Sequence, residues 1–305
     1  MQGTNSEMAG LYGKSMSVNN FRGIEASNLQ IKRVNVIIGK NGSGKTSLLE
    51  AVFLFTLLKS TYTDEVVLTW LSHVFQSRGD LVSSIVTLQD SAVSVDGETL
   101  TIKRKFGGIE MNLNGSTVAR VYFRPSAEGN AYSLSVELNR GGIEGEYTPV
   151  YISTRFDSVN IPETIVSMAK KKAKLEGLDI LREDLTGAYL LHKDGIPVYV
   201  LGRGTLKRLL IEAATKFADV ILIDEIEDSL FPLESFKVLA KEIAESNSTF
   251  FVVTQSHEML RAIYDSIKEI SVIIMKDRKA RSCSDPESVD SLMAMDNPLG
   301  WVYFV

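Results

Sequence analysis

The amino-acid sequence predicts an α/β fold built around a parallel β-sheet. An apolar, β-branched segment at residues 34–38 runs into a glycine-rich turn and then into a long stretch that is free of Gly and Pro. Strand and helix patterns also alternate along the last third of the chain. Because parallel strands are joined by helices that cross a face of the sheet, this alternation favours a parallel sheet with helices on its faces.

The first part of the chain predicts a hairpin, a strand and a helix in succession. The segment "SMSVNNFRGIEASNLQIKR" is typical of a short hairpin, and the "VNVII" that follows is typical of a buried strand. The later "TSLLEAVFLFTLLKS" is apolar on more than one face, as expected of a helix inside a protein. The resulting order is strand, glycine loop, helix.

The middle of the chain predicts two inserts. Between about residues 81 and 153, short alternating runs are separated by hairpin signals such as Asp96-Gly97 and Asn114-Gly115. We expect this β-rich insert to be antiparallel and to form a lobe of its own. A helical insert, opened by Pro162, is expected at about residues 160–186.

The last third alternates between helix and strand after a further hairpin at Asp194-Gly195. The expected elements are helix "TLKRLLIEAATKF", strand "DVILID", helix "LESFKVLAKEIAES", strand "TFFVVTQ", helix "HEMLRAIYDSI", strand "EISVIIMKD" and a final "WVYFV". This pattern gives a sheet whose strands present their carboxyl ends at one edge, where ligands bind in open α/β folds.

Composition and charge limit the classes of function. The 305 residues are 44% hydrophobic and 23% charged, which is ordinary for a globular protein. The formal net charge of −5 argues against a protein that coats nucleic acid by bulk electrostatics. The longest apolar windows are shorter than the roughly 20 residues that cross a bilayer. Since no secretory signal begins the chain and Cys283 is its only cysteine, we expect a cytoplasmic protein without a membrane partner or an internal disulfide.

The segment "GKNGSGKT", Gly39 to Thr46, matches the phosphate-binding pattern G-x-x-x-x-G-K-[ST] completely. Its glycines let backbone N–H groups turn towards phosphate oxygens, and the N-terminus of the following helix adds attraction for an anion. Lys45 would reach the β- and γ-phosphates, and the Thr46 hydroxyl would bind Mg²⁺. The predicted nucleotide-binding residues of the loop are Gly39, Lys40, Asn41, Gly42, Ser43, Gly44, Lys45, Thr46 and Ser47.

An acidic pair follows the buried strand in "DVILIDE". Asp224 fits the role of a Mg²⁺ partner that acts through water, and Glu225 is placed to orient or deprotonate an attacking water. Loop and acidic pair predict a P-loop NTPase fold in one domain spanning residues 1–305. Its nucleotide-binding core would comprise about residues 15–75 and 200–305.

These segments together resemble the head of an ABC-type ATPase. The loop, the preceding "NFRGIEASNLQIKRVNVIIG", the run "VLGRGTLKRLLIEAATKFADVILIDEIEDSLFP" and the late "FVVTQSHE" occur in the order found in one subgroup of AAA-family ATPases. That subgroup contains RecF-like, structural-maintenance-of-chromosomes-like and OLD-like (overcoming lysogenization defect) ATPases. The chain resembles such a head without coiled-coil arms, since it lacks a long heptad pattern. It also resembles one without a nuclease domain, since fewer than about fifty residues follow His257.

The resemblance implies ATP and Mg²⁺ as ligands and an ATP-dependent homodimer in which two heads sandwich ATP. The segment "LGRGTLKR" stands at the signature motif of the family, where Gly202 and Gly204 would contact the γ-phosphate bound by the other molecule. Gly202 replaces the usual serine, which removes one hydroxyl contact. Lys207 and Arg208 would face phosphate or solvent, and Asp228 to Leu230 would lie at the dimer interface as the D-loop.

Two further assignments come from the resemblance. Arg22, which follows Phe21 in "NFRGI", corresponds to a residue near the nucleotide in relatives. Gln76 and Gln89 are both candidates for the glutamine of the Q-loop.

The stretch "FVVTQSHE" stands where the family places its switch histidine, in a pattern like Thr-Thr-His-Ser-x-Glu. Alignment on Thr254 and Ser256 puts Gln255 in the place of that histidine, whereas alignment on histidine alone selects His257. We favour Gln255, because the threonine and serine then keep their places. Glutamine forms hydrogen bonds with phosphate or water but does not carry a proton, so such a site would depend more on Glu225.

The leading functional hypothesis is a Mg²⁺-dependent ATPase that dimerises head-to-head and acts in a DNA- or protein-directed process such as repair or defence. The alternative is a nucleotide-controlled binding module with negligible hydrolysis. A P-loop kinase is a third hypothesis, disfavoured by the β-rich insert, the Gly202-x-Gly204 element and the position of Glu225.

Overall fold

The computed structural model describes residues 10–76, 90–105, 107–125, 132–153, 160–182, 189–200, 202–227, 234–267 and 269–295. Their strands are β1 (Ser15–Phe21), β2 (Ile24–Gln30), β3 (Val34–Gly39), β4 (Ser91–Val95), β5 (Glu98–Lys105), β6 (Gly108–Leu113), β7 (Ser116–Pro125), β8 (Tyr132–Leu138), β9 (Pro149–Ile152), β10 (Leu178–Arg182), β11 (Tyr189–Lys193), β12 (Ile196–Pro197), β13 (Val220–Ile223), β14 (Thr249–Val253), β15 (Ile270–Lys276) and β16 (Lys279–Cys283). Their helices are α1 (Lys45–Leu58), α2 (Asp64–Gln76), α3 (Asn160–Lys172), α4 (Arg203–Ala214), α5 (Glu234–Glu245), α6 (His257–Ser266) and α7 (Pro286–Met293).

One sheet of thirteen strands dominates the described part of the chain, in the order β8-β7-β6-β5-β4-β1-β2-β16-β15-β3-β14-β13-β9. Its last five strands, β15, β3, β14, β13 and β9, run parallel to one another, and β15 pairs antiparallel with β16 on its other side. Every residue of β13 and β14 is buried, as expected of parallel strands that are covered on both faces. The predicted α/β fold with a parallel core sheet is therefore confirmed.

Helix α1 carries the phosphate-binding loop at its N-terminus and contacts β3, β9, β13 and β14. Its sequence has no helix breaker, and twelve of its fourteen residues are buried. The ring of Phe53 packs against Trp70 of α2, with 5.2 Å between the ring centroids, and against Tyr151 of β9 at 5.3 Å. Burial of each such side chain contributes about 1.5–3 kcal/mol. The helix thus fixes the position of the loop relative to the parallel strands.

The β-rich region predicted as a separate lobe instead extends the same sheet. Strand β4 pairs antiparallel with β1, with Met16 opposite Val95, and β5 to β8 follow as antiparallel neighbours. Strand β9 also falls in the predicted insert, yet it pairs in parallel with β13 and belongs to the core. The predicted turn at Asp96-Gly97 has φ values of 47° and 89°, and the one at Asn114-Gly115 has 50° and 86°. Both turns therefore have the positive φ values of a type I′ hairpin.

The predicted helical insert is helical only in its first half. Helix α3 ends at Lys172, and β10 pairs with β11 in a second sheet of three strands, β10-β11-β12. Gly177, with φ of 66°, supplies the left-handed backbone that separates helix from strand. The hairpin at Asp194-Gly195 is present as expected, and residues 183–186 of the predicted insert lie outside the described residues.

The strands and helices expected after residue 201 occur in the predicted order, and the sequence patterns did not reveal β16 and α7. The final "WVYFV" lies outside the described residues. None of the helices in the described ranges is long and apolar enough to span a membrane.

Candidate functional site

Three parallel strands of the core end at the same edge of the sheet and bring the predicted site residues together. Strand β3 leads into the phosphate-binding loop, β13 into Asp224 and Glu225, and β14 into Thr254 and Gln255. Strand β14 lies between β3 and β13 and pairs with both. The segments that follow these three strands are therefore neighbours, although they are far apart in the sequence.

Two glycines of the loop are required by close contacts. A Cβ atom at Gly39 would lie 2.4 Å from the carbonyl oxygen of Met275, on the neighbouring strand β15. A Cβ atom at Gly44 would lie 2.5 Å from Cγ2 of Ile24, and the φ of Gly44 is 101°. Gly44 is the N-cap residue of α1 and provides no side-chain cap. The helix N-terminus therefore leaves backbone N–H groups for an anion.

Lys45 is 6% exposed, and its ammonium group donates hydrogen bonds to the carbonyl oxygens of Gly39 at 2.9 Å and Lys40 at 3.0 Å. Burial lowers the pKa of Lys45, while Asp224, Glu225 and Glu227 act in the opposite direction by Coulombic attraction. The loop lysine therefore lies close enough to the acidic segment after β13 to interact with it electrostatically.

The loop contacts the acidic segment directly through Thr46 and Asp224. The Thr46 hydroxyl lies 3.3 Å from Oδ1 of Asp224, which is 6% exposed. Hydroxyl and carboxylate oxygens suit Mg²⁺, which proteins usually bind through one or two carboxylates together with substrate phosphates. In the same loop, the buried hydroxyl of Ser43 has no hydrogen-bond partner among the described residues. Such a buried group fits a phosphate oxygen. The residues present are therefore suited to Mg²⁺ and a nucleoside triphosphate.

Glu225 has a left-handed backbone, with φ of 44°. For a residue other than glycine this conformation costs on the order of 1–3 kcal/mol and persists only where surrounding contacts enforce it. The Gln255 side-chain amide donates a hydrogen bond to Oε1 of Glu225 at 3.3 Å. The structure therefore brings the residue favoured for the switch position to the predicted water-activating carboxylate.

Glu227 is a member of this site that the sequence patterns did not single out. One of its carboxylate oxygens accepts a hydrogen bond from the buried Thr254 hydroxyl at 2.8 Å, and the other accepts one from the backbone N–H of Gln255 at 2.6 Å. Glu227 thus fixes the end of β14 against the segment after β13. The sequence signal that could have indicated Glu227 is its position two residues after Glu225, because both carboxylates then follow the same strand end.

His257 begins helix α6 rather than ending the strand. Ser256 caps this helix by accepting a hydrogen bond from the backbone N–H of Met259 at 3.1 Å. The imidazole of His257 is half-buried, and its Nε2 has no hydrogen-bond partner in the described part of the chain. The described contacts therefore distinguish Gln255 from His257, because Gln255 donates a hydrogen bond to Glu225 and no described contact joins His257 to Glu225.

Arg22, which the resemblance predicts to lie near the nucleotide, is at the turn between β1 and β2. Its Nη1 is 2.9 Å from Oε2 of Glu50, a residue of α1 that is 1% exposed. Arg22 also has a positive φ, 50°, and its guanidinium is 5.9 Å from the ring centre of the buried Phe21. These contacts attach the β1–β2 turn to α1. A contact of Arg22 with nucleotide stays a prediction.

The predicted signature segment forms the exposed N-terminus of helix α4. Gly202 is the N-cap residue, with φ of 89°, and no atom of the described residues lies within 4 Å of a Cβ position there; Gly204 follows in the first turn. Lys207 does not face solvent as one alternative predicted, since it is 3% exposed. Arg208 forms an ion pair with Glu242 of α5 at 3.1 Å.

Three of the assignments made by resemblance have no structural outcome. Asp228 to Leu230, predicted as the D-loop, and Gln89 lie outside the described residues. Gln76 is the last residue of α2, and its side chain also lies outside the description.

Comparison with protein families agrees with this geometry in the N-terminal part of the chain. A family described as an AAA ATPase domain matches residues 14–106, which include the phosphate-binding loop and helix α1.

Curated proteins that are similar to this chain include RecF proteins, which carry the name DNA replication and repair protein. RecF of Lactobacillus acidophilus is 28% identical over 189 residues, a match that covers 58% of this chain and 50% of the relative. RecF of Shewanella piezotolerans is 35% identical over 104 residues, covering 33% and 26%. RecF of Bacillus velezensis is 36% identical over 63 residues, covering 20% and 17%. The chain therefore matches half or less of the length of these relatives.

Two solved structures with a similar fold are heads of Smc proteins. The Smc head bound to the C-winged helix domain of ScpA has a TM-score of 0.51 and 16% identity, covering 92% of this chain and 99% of that chain. The Smc head with an extended coiled coil, bound to the C-terminal domain of ScpA derived from Pyrococcus furiosus, has a TM-score of 0.51 and 14% identity, covering 92% and 98%. At this identity the likeness concerns the fold. The family match and the RecF relatives support the resemblance to an ABC-type AAA ATPase of the RecF- and SMC-like group, and the Smc heads show that the fold agrees with it.

Proposed function

We propose that this domain binds Mg²⁺ and ATP at the Gly39–Thr46 loop and hydrolyses the bond between the β- and γ-phosphates. The observation that carries the proposal is the 3.3 Å contact between the Thr46 hydroxyl and Asp224, which joins the loop to the acidic segment. The Gln255–Glu225 hydrogen bond lies at the same sheet edge. The groups proposed to bind phosphate, to hold the metal and to activate water therefore lie at one edge of the sheet.

The loop binds and orients the triphosphate in this proposal. Backbone N–H groups of the loop and of the start of α1 attract phosphate oxygens, and Lys45 neutralises charge on the β- and γ-phosphates. Thr46 would hold Mg²⁺ directly, and Asp224 would hold it through water. When bound, Mg²⁺ neutralises the charge that develops on the phosphate oxygens.

Glu225 and Gln255 act on the attacking water. The oxygen of the water forms a bond to the γ-phosphorus while Glu225 accepts a proton from that water. The bond between the γ-phosphorus and the oxygen that bridges it to the β-phosphate breaks, and ADP leaves with that oxygen. Gln255 orients the water or the carboxylate by hydrogen bonding, since an amide does not take up the proton at neutral pH. Proton transfer therefore depends on Glu225.

The substitution Glu225→Gln tests the proposal directly, because it keeps the size and hydrogen-bonding reach of the side chain and removes the base. We expect phosphate release to fall by roughly 100-fold or more, with ATP binding retained. Phosphate release and binding of radiolabelled ATP would be measured in the same preparations. Turnover in the variant equal to that of the wild type would reject the role of Glu225.

The second candidate function is a binding module that ATP controls with negligible hydrolysis. The specific observation in its favour is Gln255, because an amide at the switch position makes proton transfer depend on one carboxylate. Tight ATP binding by the wild-type protein, with no phosphate release above the buffer rate, would support this candidate.

We also propose that two copies form a head-to-head dimer around ATP. The exposed N-terminus of α4 supports a contact with a second molecule, since Gly202 is exposed and no atom in the described part of the chain lies within 4 Å of its Cβ position. Light scattering of Glu225→Gln with and without Mg²⁺ and ATP tests this. The expected result is a dimer only with nucleotide, and a monomer under both conditions would reject it.

The process served by the ATPase is proposed to involve DNA, in repair or defence, within the cytoplasm. Support comes from the RecF relatives, which are named DNA replication and repair proteins. The Smc heads of similar fold were solved with ScpA, which supports a protein effector as the other outcome. ATPase assays with and without duplex DNA distinguish the two. Stimulation by duplex DNA supports the first, and stimulation only by a co-purifying protein supports the second.

A further inference from the structure

Lys207 occupies an unusual position for a lysine. It lies in the second turn of helix α4 and is 3% exposed, whereas its neighbours Thr205 and Arg208 are exposed. Lysine is rarely buried to this extent unless its ammonium group is paired or hydrogen-bonded. The side chain points from the signature helix into the protein.

The ammonium group of Lys207 contacts the backbone of the acidic segment. It donates a hydrogen bond to the carbonyl oxygen of Asp224 at 3.0 Å and another to the carbonyl oxygen of Glu225. These are main-chain acceptors, so the contacts act on the path of the chain at the end of β13. Lys207 therefore joins helix α4 to the residues that carry the metal-binding and water-activating carboxylates.

The backbone of Glu225 needs such contacts. Its left-handed conformation is flanked by a hydrogen bond from the N–H of Asp224 to the carbonyl of Ile152 at 2.9 Å. On the other side, the N–H of Ile226 bonds to the carbonyl of Val253 at 3.0 Å. These two backbone bonds connect the segment to the neighbouring strands β9 and β14. The hydrogen bond from Lys207 to the carbonyl of Glu225 connects it to helix α4.

We propose that Lys207 is a positioning residue. Its hydrogen bond to the carbonyl of Glu225 makes the backbone position of Glu225 depend on the position of the α4 N-terminus. Gly204 is three residues before Lys207, so both lie on the same side of the helix, one turn apart. A displacement of the exposed helix start by an anion would be transmitted through this turn to the carbonyl of Glu225. The inference rests on the proposed ATPase function and adds a route by which a contact at Gly202–Gly204 changes hydrolysis.

The first test compares Lys207→Met with the matched control Lys241→Met, which makes the same chemical change at an exposed position of α5. Methionine keeps most of the apolar stem of Lys207 and removes its donors. We expect kcat to fall roughly 10- to 100-fold, as for a misplaced catalytic group, with the KM for ATP within about twofold of wild type. Lys241→Met should leave both constants near wild type, because the Lys241 side chain is 76% exposed and pairs with Glu245 of the same helix. Partial rescue by Lys207→Arg would support the role of the donors.

A double-mutant cycle with Glu225→Gln separates positioning from a general loss of structure. If Lys207 acts through Glu225, Lys207→Met should produce little further loss in the Glu225→Gln background. Multiplicative losses in the double variant, or equal effects on kcat and KM, would overturn the proposal.

Hydrogen exchange provides a readout that does not require ATPase activity. In Lys207→Met, amides in residues 224–227 should exchange at least several-fold faster, while those in the second half of α4 keep wild-type protection. Unchanged exchange at 224–227 would overturn the positioning role even in a protein that hydrolyses no ATP. Absence of turnover in the wild type would instead reject the proposed function and leave the exchange result to decide on Lys207.

Discussion

The side-chain amide of Gln255 lies 3.3 Å from Oε1 of Glu225, at the point where β13 and β14 end side by side. Aligned on Thr254 and Ser256, the sequence puts Gln255 in the position of a switch residue, and the structure places it beside the carboxylate proposed to activate water. His257 stands two residues further on, in the first turn of α6. The two candidates therefore differ in their described contacts and are open to separate tests.

Substitution of Gln255 and His257 by alanine should affect turnover differently. We expect Gln255→Ala to lower kcat roughly tenfold or more, because it removes a hydrogen-bond donor from the reacting group. His257→Ala should change kcat less than about threefold, since no described contact links its imidazole to Glu225. Steady-state phosphate release at saturating ATP measures both. Loss of activity only in His257→Ala would reverse the assignment.

The contact between Thr46 and Asp224 predicts a shared effect on magnesium dependence. Thr46→Val and Asp224→Asn should each raise the Mg²⁺ concentration for half-maximal turnover roughly 10- to 100-fold, the usual effect of removing a group that supports a bound metal. Thr46→Ser keeps the hydroxyl and serves as the matched control, with a magnesium requirement close to wild type. A titration of Mg²⁺ at fixed ATP measures the shift. Equal magnesium curves for Thr46→Val and Thr46→Ser would exclude Thr46 as a ligand.

Glu227 is predicted to position Gln255 through the bonds that its two carboxylate oxygens accept. In Glu227→Gln one of those oxygens becomes an amide donor, so either Thr254 or the N–H of Gln255 loses an acceptor. We expect kcat to fall roughly three- to tenfold, with ATP affinity unchanged. Glu258→Gln makes the same chemical change at an exposed position and should retain wild-type kcat. Identical activities of the two variants would show that Glu227 does not influence the reaction.

The sequence predicted the loop because its chemistry depends on local pattern. Gly39, Lys45 and Thr46 have fixed spacing between an apolar strand and a helix, and Asp224 follows an apolar run that reads as a buried parallel strand. Each of these two signals is local, because it involves a strand and the few residues that follow it. Their convergence at one edge then follows from the rule that ligands bind at the carboxyl ends of parallel strands.

The parts that sequence reading missed depend on contacts between distant segments or on competing local patterns. The pairing of Met16 with Val95 joins the antiparallel region to the core, and no local pattern around either residue specifies the partner. The run Leu178–Arg182 is short and partly apolar, so its sequence alone does not distinguish helix from strand, although helix α3 has already ended at Lys172. Burial of Lys207 was also hidden, because its acceptors are backbone carbonyls, which carry no sequence signature.

Asp219 provides a prediction for stability that is independent of catalysis. It immediately precedes β13, at the opposite edge of the sheet from the phosphate-binding loop, and accepts a hydrogen bond from the N–H of Thr148 at 2.8 Å. Burial raises the pKa of Asp219 from 3.8 to about 6, although several backbone hydrogen bonds act in the opposite direction.

The folded chain therefore retains the Asp219 proton at pH values where the unfolded chain has released it. Because the folded state binds more protons in the window from about pH 4 to pH 6, the contribution of Asp219 to stability falls as the pH rises through that window. Above it, the buried carboxylate opposes folding by a constant amount. Asp219→Asn removes the ionisation and keeps an oxygen that accepts the bond from Thr148.

The substitution should therefore stabilise the protein more at pH 8 than at pH 5. We expect the free energy of unfolding of Asp219→Asn, relative to wild type, to increase on the order of 1 kcal/mol between these two pH values. Urea denaturation at both pH values, without nucleotide, measures the difference. Asp64→Asn is the control, because the side chain of Asp64 is 62% exposed, and its effect should be the same at both pH values. A difference between Asp219→Asn and wild type that does not change with pH would show that burial leaves the pKa of Asp219 near its ordinary value.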